Sequence, residues 1–428
     1  MRKRVICLLC LFVASTNCGR TGLETLGLEA TIGGATGTGG TTLLLTGEVM
    51  GGTSATGGSL TSPASTMSTG GESSIGGTTS VQFVAVAVSA GVDQTCALLD
   101  NGTLQSWGDN LGTSPSLLPV AVATISSATA VSTGNGHTCA LLSGGSIQCW
   151  GFNADGELGN GTTSRAFPVT AVPVAVVGIT DAIAVGGGGD TCAVLRSGTV
   201  QCWGWNPNGQ LGNGTTVDSS VPVTVSGVTD AIAVATSYFH ACVLLSSGTV
   251  QCWGNNYDGE LGDGTTTNSR VPVTVSGISD AIAVAAGGSF TCAVLSGGNV
   301  QCWGNNYDGE LGDGTTTNSQ VPATVSGITD AMAISAGAGH TCVLLNDKTV
   351  QCWGSNLYGA FGNDISTDRY RPVTISGITD AVAVVAGSRH SCSVMTSGNV
   401  RCWGNNQFGQ LGNGTTTDSS LPVTVSGF

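Results

Sequence analysis

Cys302-Trp303-Gly304-Asn305-Asn306-Tyr307-Asp308-Gly309-Glu310-Leu311-Gly312-Asp313-Gly314 is the stretch whose repetition settles the architecture of this chain. Residues 251–269 and 301–319 are identical. Trp-Gly recurs at Trp107, Trp150, Trp203, Trp253, Trp303, Trp353 and Trp403, the last five spaced 50 apart. A fixed period of this length means a solenoid or propeller, because one unit alone cannot bury its faces. Within one unit, Ala281 to Ala285, Thr291 to Leu295, Asn299 to Trp303 and Val321 to Val325 are short β-type runs. Turn chemistry at Ser296-Gly297-Gly298 and a Gly/Asn/Asp-rich loop from Gly304 to Gly314 separate them, and no helical period intervenes. Four strands in each of seven units predict an all-β fold, a seven-bladed β-propeller of four-stranded blades. Blades that pack on neighbours through both faces explain strands that are nearly continuously apolar.

The cysteines keep the same period. Cys139 and Cys149, Cys192 and Cys202, Cys242 and Cys252, Cys292 and Cys302, Cys342 and Cys352, and Cys392 and Cys402 are each ten residues apart. With Gly297 at the centre of the hairpin turn, Val294 faces Val300 and Cys292 faces Cys302. Directly opposed residues of a non-hydrogen-bonded antiparallel pair lie close enough for a disulfide. Six intra-hairpin bridges are therefore expected, each stabilising by about 2–3 kcal/mol through chain entropy. In the first unit Cys96 faces Ser106 and should be unpaired. That unit also lacks the Leu-Gly-x-Gly element after Trp107.

Outside the repeats the chain divides simply. Residues 81–428 are the propeller. Residues 1–17 read as a signal peptide, with a basic Arg2-Lys3-Arg4 start and an apolar Val5–Ala14 stretch too short to span a bilayer. Cleavage after Ala14-Ser15-Thr16 predicts a freely secreted protein. Ser15-Thr16-Asn17-Cys18 resembles a bacterial lipoprotein box and predicts lipidation at Cys18; both routes stay open. Residues 18–80 are a Gly/Ser/Thr-rich flexible linker: 35 of the 50 residues from 31 to 80 are Gly, Ser or Thr, and none is aromatic.

Net charge over the 428 residues is −14, even counting the three bases at the N-terminus. A phosphate backbone would repel such a chain, which excludes a basic nucleic-acid footprint. Sixteen Cys against four His favour disulfides over zinc sites and an oxidising compartment.

The Trp-Gly-Asn-x-x-Gly-x-Leu-Gly-x-Gly pattern at Trp303 to Gly314, with the Gly-x-x-His-Thr-Cys-x-Leu element at Gly337 to Leu344, resembles the regulator of chromosome condensation repeat. The resemblance covers residues 81–428 and implies a seven-bladed propeller, in agreement with the independent count. It does not carry function, since such folds host many activities. The family's nuclear member activates the Ran GTPase and holds nucleosomes, using basic contacts and a wedge-like insertion. The acidity, export signal and absence of a long insertion argue against that transfer. The family's exported bacterial type includes a β-lactamase inhibitor that binds across one propeller face.

Candidate site residues follow from the repeated positions. His137, His240, His340 and His390 share a position that also holds Gln94, Asp190 and Phe290. A position that accepts Phe is not a shared acid–base group, and a packed strand-start His is expected. Asn110, Asn153, Asn206, Asn256, Asn306, Asn356 and Asn406 read as turn residues that bond nearby backbone. Asp258, Glu260, Asp263 and their copies Asp308, Glu310, Asp313 are acids of the kind calcium takes, but solvated turn acids are the expected reading. No metal or cofactor is expected, and no catalytic residue.

Phe152, Trp205, Tyr257, Tyr307, Tyr358 and Phe408 put aromatics on the long loops. Tyr257, Asp258, Glu260, Tyr307, Asp308, Glu310, Tyr358 and Phe408 are the candidate binding rim, with Leu261, Leu311, Phe361 and Leu411 as loop anchors. The sequence thus predicts an exported, surface-tethered, monomeric, non-enzymatic scaffold that binds an extracellular or cell-surface protein through one propeller face. A carbohydrate-binding module using the same aromatics is the alternative, and an enzyme with a site in the central channel a weaker one. The expected partners exclude nucleic acid, and a membrane enters only through a lipid anchor.

Overall fold

The structure, a computed structural model, describes residues 83–109, 114–164, 170–365 and 367–428; the signal peptide, the linker, Cys18 and Asn110 lie outside them. Among the described residues the chain forms seven four-stranded antiparallel sheets, each with its strands side by side in sequence order. The unit quoted above gives Ala281–Ala286, Phe290–Leu295, Val300–Gly304 and Ser319–Thr324. The first strands of the blades line a narrow axial cavity of about 110 Å³. Their small side chains let seven strands converge on the axis. Polar members bridge neighbours: Ser89 Oγ lies 2.8 Å from Thr133 Oγ1, and the Gly187 N–H donates to Ser132 Oγ at 2.9 Å. The outermost strands each carry a proline, Pro322 in this unit. Proline on an edge removes a ladder donor and discourages pairing with another chain.

The hairpin register is the one the cysteine spacing demands. Val294 pairs with Val300 and Cys292 with Cys302. Disulfides join Cys139 to Cys149, Cys192 to Cys202 and Cys242 to Cys252. They also join Cys292 to Cys302, Cys342 to Cys352 and Cys392 to Cys402. The paired Cα atoms are 4.0 or 4.1 Å apart in all six, so every expected bridge is present. Cys96 opposes Ser106, is free and is buried. Burial pushes its thiol pKa up to about 12, so it is inert while the blade is folded.

At six of the seven boundaries among the described residues, one blade is held to the next by the tryptophan of Trp-Gly. Between the third and fourth strands the register slips at this residue: Cys302 pairs with Ala323, but Gly304 pairs with Ser319. The slip frees Trp303 to reach the preceding blade, where its Nε1–H donates to the Glu260 carbonyl at 2.8 Å. The same bond joins Trp203 to Glu157, Trp253 to Gln210, Trp353 to Glu310 and Trp403 to Ala360. Its ring covers the Leu-Gly element of that blade. Leu261 is fully buried, and Gly262 has φ +65° with room for no side chain: a Cβ there would lie 2.7 Å from Trp303 Nε1. Glycine is required twice over, by the left-handed backbone and by the indole.

A second bond reinforces the first. Thr291 Oγ1 donates to the same Glu260 carbonyl at 2.9 Å. With its proton so used, Thr291 Oγ1 accepts from His240 Nε2 at 2.8 Å, which makes His240 a neutral imidazole protonated on Nε2. His137 with Thr191, His340 with Ser391 and His390 with Thr95 repeat the arrangement. The histidines are inter-blade struts, fully buried or nearly so. Phe290 is tolerated because Thr341 of the next blade still donates to the Glu310 carbonyl, at 3.4 Å.

Among the described residues no strand is exchanged to close the ring; all strands of each blade come from one unit. The last blade instead repeats the standard contacts with the first. Trp107 Nε1 and Thr95 Oγ1 both donate to the Gln410 carbonyl at 2.9 Å, and the Ser388 N–H donates to the Gly91 carbonyl at 2.9 Å. One boundary is looser. The first unit has no Leu-Gly-x-Gly element to cover Trp150, which is 9% exposed where the other six Trp-Gly tryptophans are 0% exposed. A cleft of about 250 Å³ lies beside it, between the outer strands of blades one and two.

Two outcomes test this account. The non-reduced protein, recovered after export, should weigh about twelve hydrogens less than its reduced form, with cross-linked peptides only within hairpins and Cys96 alkylated only after unfolding. Peptides joining different blades would overturn the pairing. Gly327 and Gly312 both have positive φ (+76° and +65°), but a Cβ at Gly327 meets nothing within 4 Å. Gly327→Ala should therefore cost about 1 kcal/mol, and Gly312→Ala about 2–4 kcal/mol through the added clash with Trp353. Urea unfolding without reductant measures both; equal costs would remove the indole from the argument.

Candidate binding face

The turns between first and second strands and the long loops between third and fourth strands emerge at the same end of the ring. The long loop is shaped by its asparagine. In the fifth blade, Asn306 is fully buried, its Oδ1 accepts the Leu311 N–H at 2.9 Å, and its Nδ2 donates to the Thr315 and Thr317 carbonyls. One side chain thus satisfies three backbone groups of an irregular loop. Asn153, Asn206, Asn256, Asn356 and Asn406 make the matching bond. These amides are used up inside the loop and form no ligand ring. Asp263 Oδ1 likewise accepts from the Thr265 N–H and hydroxyl at 2.9 and 2.8 Å, as a turn acid does. Leu261, Leu311, Phe361 and Leu411 are fully buried and anchor the loops.

The structure divides the rim residues read from the sequence. Tyr257 and Tyr307 are 71% and 73% exposed and stand free on their loops. Phe408 is exposed, and Tyr358 is half-buried with φ +65° and the Arg389 guanidinium 5.8 Å from its ring centroid. Tyr358 and Phe408 occupy the loop position of Asp258 and Asp308, one residue beyond Tyr257 and Tyr307. Asp258 is half-buried and clasps the next blade, accepting from Asn318 Nδ2 at 2.8 Å and Asn305 Nδ2 at 3.1 Å.

Glu260 and Glu310 belong to the core, not to the solvent-facing rim: they are 1% and 5% exposed. Each folds back on its own loop to accept the N–H of Asp258 or Asp308 at 2.9 Å. Desolvation by burial pushes both carboxyl pKa values up to about 7. Gln210 and Gln410 hold the same place in other units and make the same bond through an amide oxygen.

The sequence reading missed one feature of this end. In the fourth blade the first turn is Ser237-Tyr238-Phe239, where the third blade has Gly188-Gly189. Tyr238 packs edge-on against Phe239, with centroids 4.5 Å apart, and against Trp205 of the neighbouring long loop at 5.4 Å; Phe239 lies 6.0 Å from Trp205. The glycines opposite permit this. A Cβ on Gly189 would fall 2.4 Å from the Tyr238 carbonyl. The cluster walls one side of an off-axis cavity of about 390 Å³. Phe152 and Asp155 of blade two and Asp93 and Asp109 of blade one also line it, as does the buried Glu157. Burial raises the pKa of Asp93 and of Glu157. The departure of Tyr238-Phe239 from the glycine turns of other units was the available signal.

Among the described residues, one grouping of three metal-type side chains occurs, Asp190 with Cys192 and Cys202. Its sulfurs are bonded to each other, so it offers no thiolate. Asp190 is fully buried, and desolvation raises its carboxyl pKa well above the usual range.

The buried glutamates set a pH dependence. Their folded pKa is raised, so their contribution to stability is complete below the unfolded value of 4.5 and is lost as pH rises through about 7. Glu310→Gln keeps the loop bond and removes the titration. Its advantage over the parent should grow from near zero at pH 4.5 to about 1–3 kcal/mol at pH 8, read by denaturant unfolding. A difference independent of pH would contradict the burial argument.

Similar folds are found among solved structures. Human WBSCR16 superposes with a TM-score of 0.67 at 22% identity, covering 74% of this chain and 88% of that one. Yeast RCC1 (Prp20), solved bound to Kap60, gives 0.66 at 18% identity, covering 81% and 85%. A second structure of Prp20p from Saccharomyces cerevisiae gives 0.66 at 19%, covering 81% and 87%. At these identities the likeness is one of fold. No curated protein sequence matches the chain. The RCC1 repeat matches residues 85–111 and the RCC1-like domain matches residues 111–428, a span that takes in the long loops, the Trp-Gly clasps and most of the cavity lining just described, and the chain belongs to the RCC1-like domain family.

Proposed function

We propose that this protein is a non-enzymatic interaction scaffold that binds a protein partner through the long-loop end of the ring. The observation that carries the reading is the placement of Tyr257 and Tyr307, largely exposed, on a rigid end that also bears Tyr238 and a group of carboxylates. Rigid aromatic side chains give contact area at low entropic cost, and acidic surroundings favour basic surfaces. RCC1-like neighbours are regulators or binding proteins. Prp20 is solved with Kap60 bound, and its binding to Gsp1p and histones is described. Asp258, Asp308, Tyr358 and Phe408 complete the proposed rim; Glu260 and Glu310 support it from beneath.

Export belongs to this proposal. The six disulfides are compatible with an extracellular protein, and among the described residues no helix is long and apolar enough to cross a membrane. The signal peptide, the linker and a lipid on Cys18 would present the ring at the cell surface, facing an extracellular or surface protein. The mass of the N-terminal peptide of the exported protein reports where the chain is cut and whether Cys18 is lipidated.

Immobilised protein should capture one partner from an extracellular fraction, less tightly as salt rises. Replacing both Tyr257 and Tyr307 by Ala should weaken that capture by about 1–3 kcal/mol for each ring while leaving the unfolding midpoint unchanged. Capture unaffected by the double replacement would refute the end-face reading. Elution of the captured material by a simple sugar would favour the carbohydrate reading instead.

A further inference from the structure

We infer that a second cavity at the same end of the ring, between blades four, five and six, is a binding site for an alkylammonium group. The cavity, about 370 Å³, is lined by Tyr238 and Phe239 of blade four, Phe290, Asn305 and Glu310 of blade five and Ala338 of blade six. That volume takes a small ligand, or one side chain of a larger one. The inference stands on this lining and does not need the end-face reading.

Glu310 gives the cavity its chemistry. It is 5% exposed, and its Oε2 accepts the Asp308 N–H at 2.9 Å. Among the described residues no side chain donates to its carboxyl and it makes no ion pair. Comparison between blades gives the reason. In the seventh blade Gln410 accepts the Phe408 N–H through Oε1 and turns its Nε2 to Asp93 of the next blade at 3.2 Å and to Asn405 at 2.7 Å. The residues in the matching places around Glu310 are Gly339, which has no side chain, and Asn305, whose Nδ2 is given to Asp258 at 3.1 Å. A buried carboxyl is thus left on the cavity wall with backbone donors alone.

Its electrostatic surroundings are acidic. The strongest charges acting on Glu310 are Asp308 of its own loop and Asp368 of the sixth-blade loop. Tyr238 is the other titratable group of the lining, and Asp258 of the fourth-blade loop holds Asn305. His340, beside Gly339, faces the seventh blade, with Nε2 2.8 Å from Ser391 Oγ. Burial, helped by the neighbouring acids, pushes the Glu310 pKa up to about 7.

An ammonium head supplies both things the carboxyl lacks here, charged donors and an opposite charge. Phe239 and Phe290 offer apolar surface to an alkyl stem and ring faces that attract a cation. An anion would meet three acids. A neutral alcohol would form the hydrogen bond but gain nothing from the charge. Phe290 is the departure that marks this blade in the sequence, where His137, His240, His340 and His390 hold the same position in other units.

The test titrates the full chain with n-butylammonium, read by saturation-transfer NMR, with 1-butanol and butyrate as matched probes. Saturable binding of the amine is expected, at least tenfold tighter than the alcohol, with none of the carboxylate. It should strengthen at least fivefold from pH 6 to pH 8, as Glu310 gives up its proton while the amine keeps its own. Glu310→Gln should weaken binding at least tenfold and remove this pH dependence. Phe290→His, which installs the residue of the neighbouring blades, should weaken it at least threefold. Asp313→Asn, which gives this loop the turn residue found at Asn213 and Asn413, should leave it unchanged. Unfolding midpoints show that the variants fold. Equal binding of amine and alcohol, absence of saturation, full binding by the folded Glu310→Gln or Phe290→His protein, or an equal loss in Asp313→Asn would overturn the inference. N-acetyl-lysine-amide separates the sources of the group. Comparable binding assigns the site to a lysine of a protein partner, and its exclusion assigns the site to a free amine; either result keeps the ammonium chemistry. If butylammonium fails while the Tyr257 and Tyr307 replacements still abolish partner capture, the cavity inference falls and the end-face reading stands.

Discussion

A carbonyl group that receives two donors from the next blade is the point on which the ring is built. The Glu260 carbonyl accepts the Trp303 indole N–H and the Thr291 hydroxyl, and the corresponding carbonyl, at Glu157, Gln210, Glu310, Ala360 or Gln410, accepts the indole at five other boundaries. Everything around it follows. The Leu-Gly element must be flat enough to lie under an indole, so the glycine is obligatory. The register of the outer strand must slip to free the tryptophan. The hydroxyl, having given its proton to the carbonyl, takes one from a neutral histidine. A buried donor or acceptor left without a partner costs about 1–3 kcal/mol, so the four elements are fixed together.

Disulfides and clasps divide the work of stabilisation. Each disulfide lies inside one hairpin and fixes strand register within a blade, while the tryptophan and threonine bonds hold blades to one another. Neither crosses the ring, and among the described residues no strand is exchanged to close it. Closure therefore rests on the same pair of side-chain contacts as the boundaries at Glu157, Glu260, Glu310 and Ala360, with Trp107 and Thr95 meeting Gln410. The looser boundary is the one between the first two blades, where Trp150 is 9% exposed and a cleft lies beside it.

The proposed binding face lies where the units differ. Repetition keeps the core uniform, and the positions free to vary are those the clasp does not use: the residue after the loop asparagine, and the short turn near the axis. Tyr257 and Tyr307 exploit the first, and Tyr238 with Phe239 the second. The second departure is possible only because the neighbouring turn is Gly188-Gly189, which yields the space. Aromatics on one side and carboxylates on the other then come from four successive blades, an arrangement that no single unit contains.

The sequence by itself determined the period, the four strands per unit, the pairing of the cysteines, the unpaired Cys96 and the burial of the loop leucines. All of these are local: short apolar runs, turn chemistry and a ten-residue spacing are complete within one unit. It also led to the family through the Trp-Gly and Leu-Gly elements, although the reason for their linkage, an indole of one blade lying on a glycine of another, is not visible in either. Only the tertiary structure showed that Glu260 and Glu310 turn inward, because the choice between solvent and the loop's own N–H depends on how the next blade covers the loop. It alone brought Tyr238 to Trp205, residues of adjoining blades whose loops meet at one end of the ring. Contacts between blades are set by packing over long separations, and a repeat read one unit at a time carries no record of them.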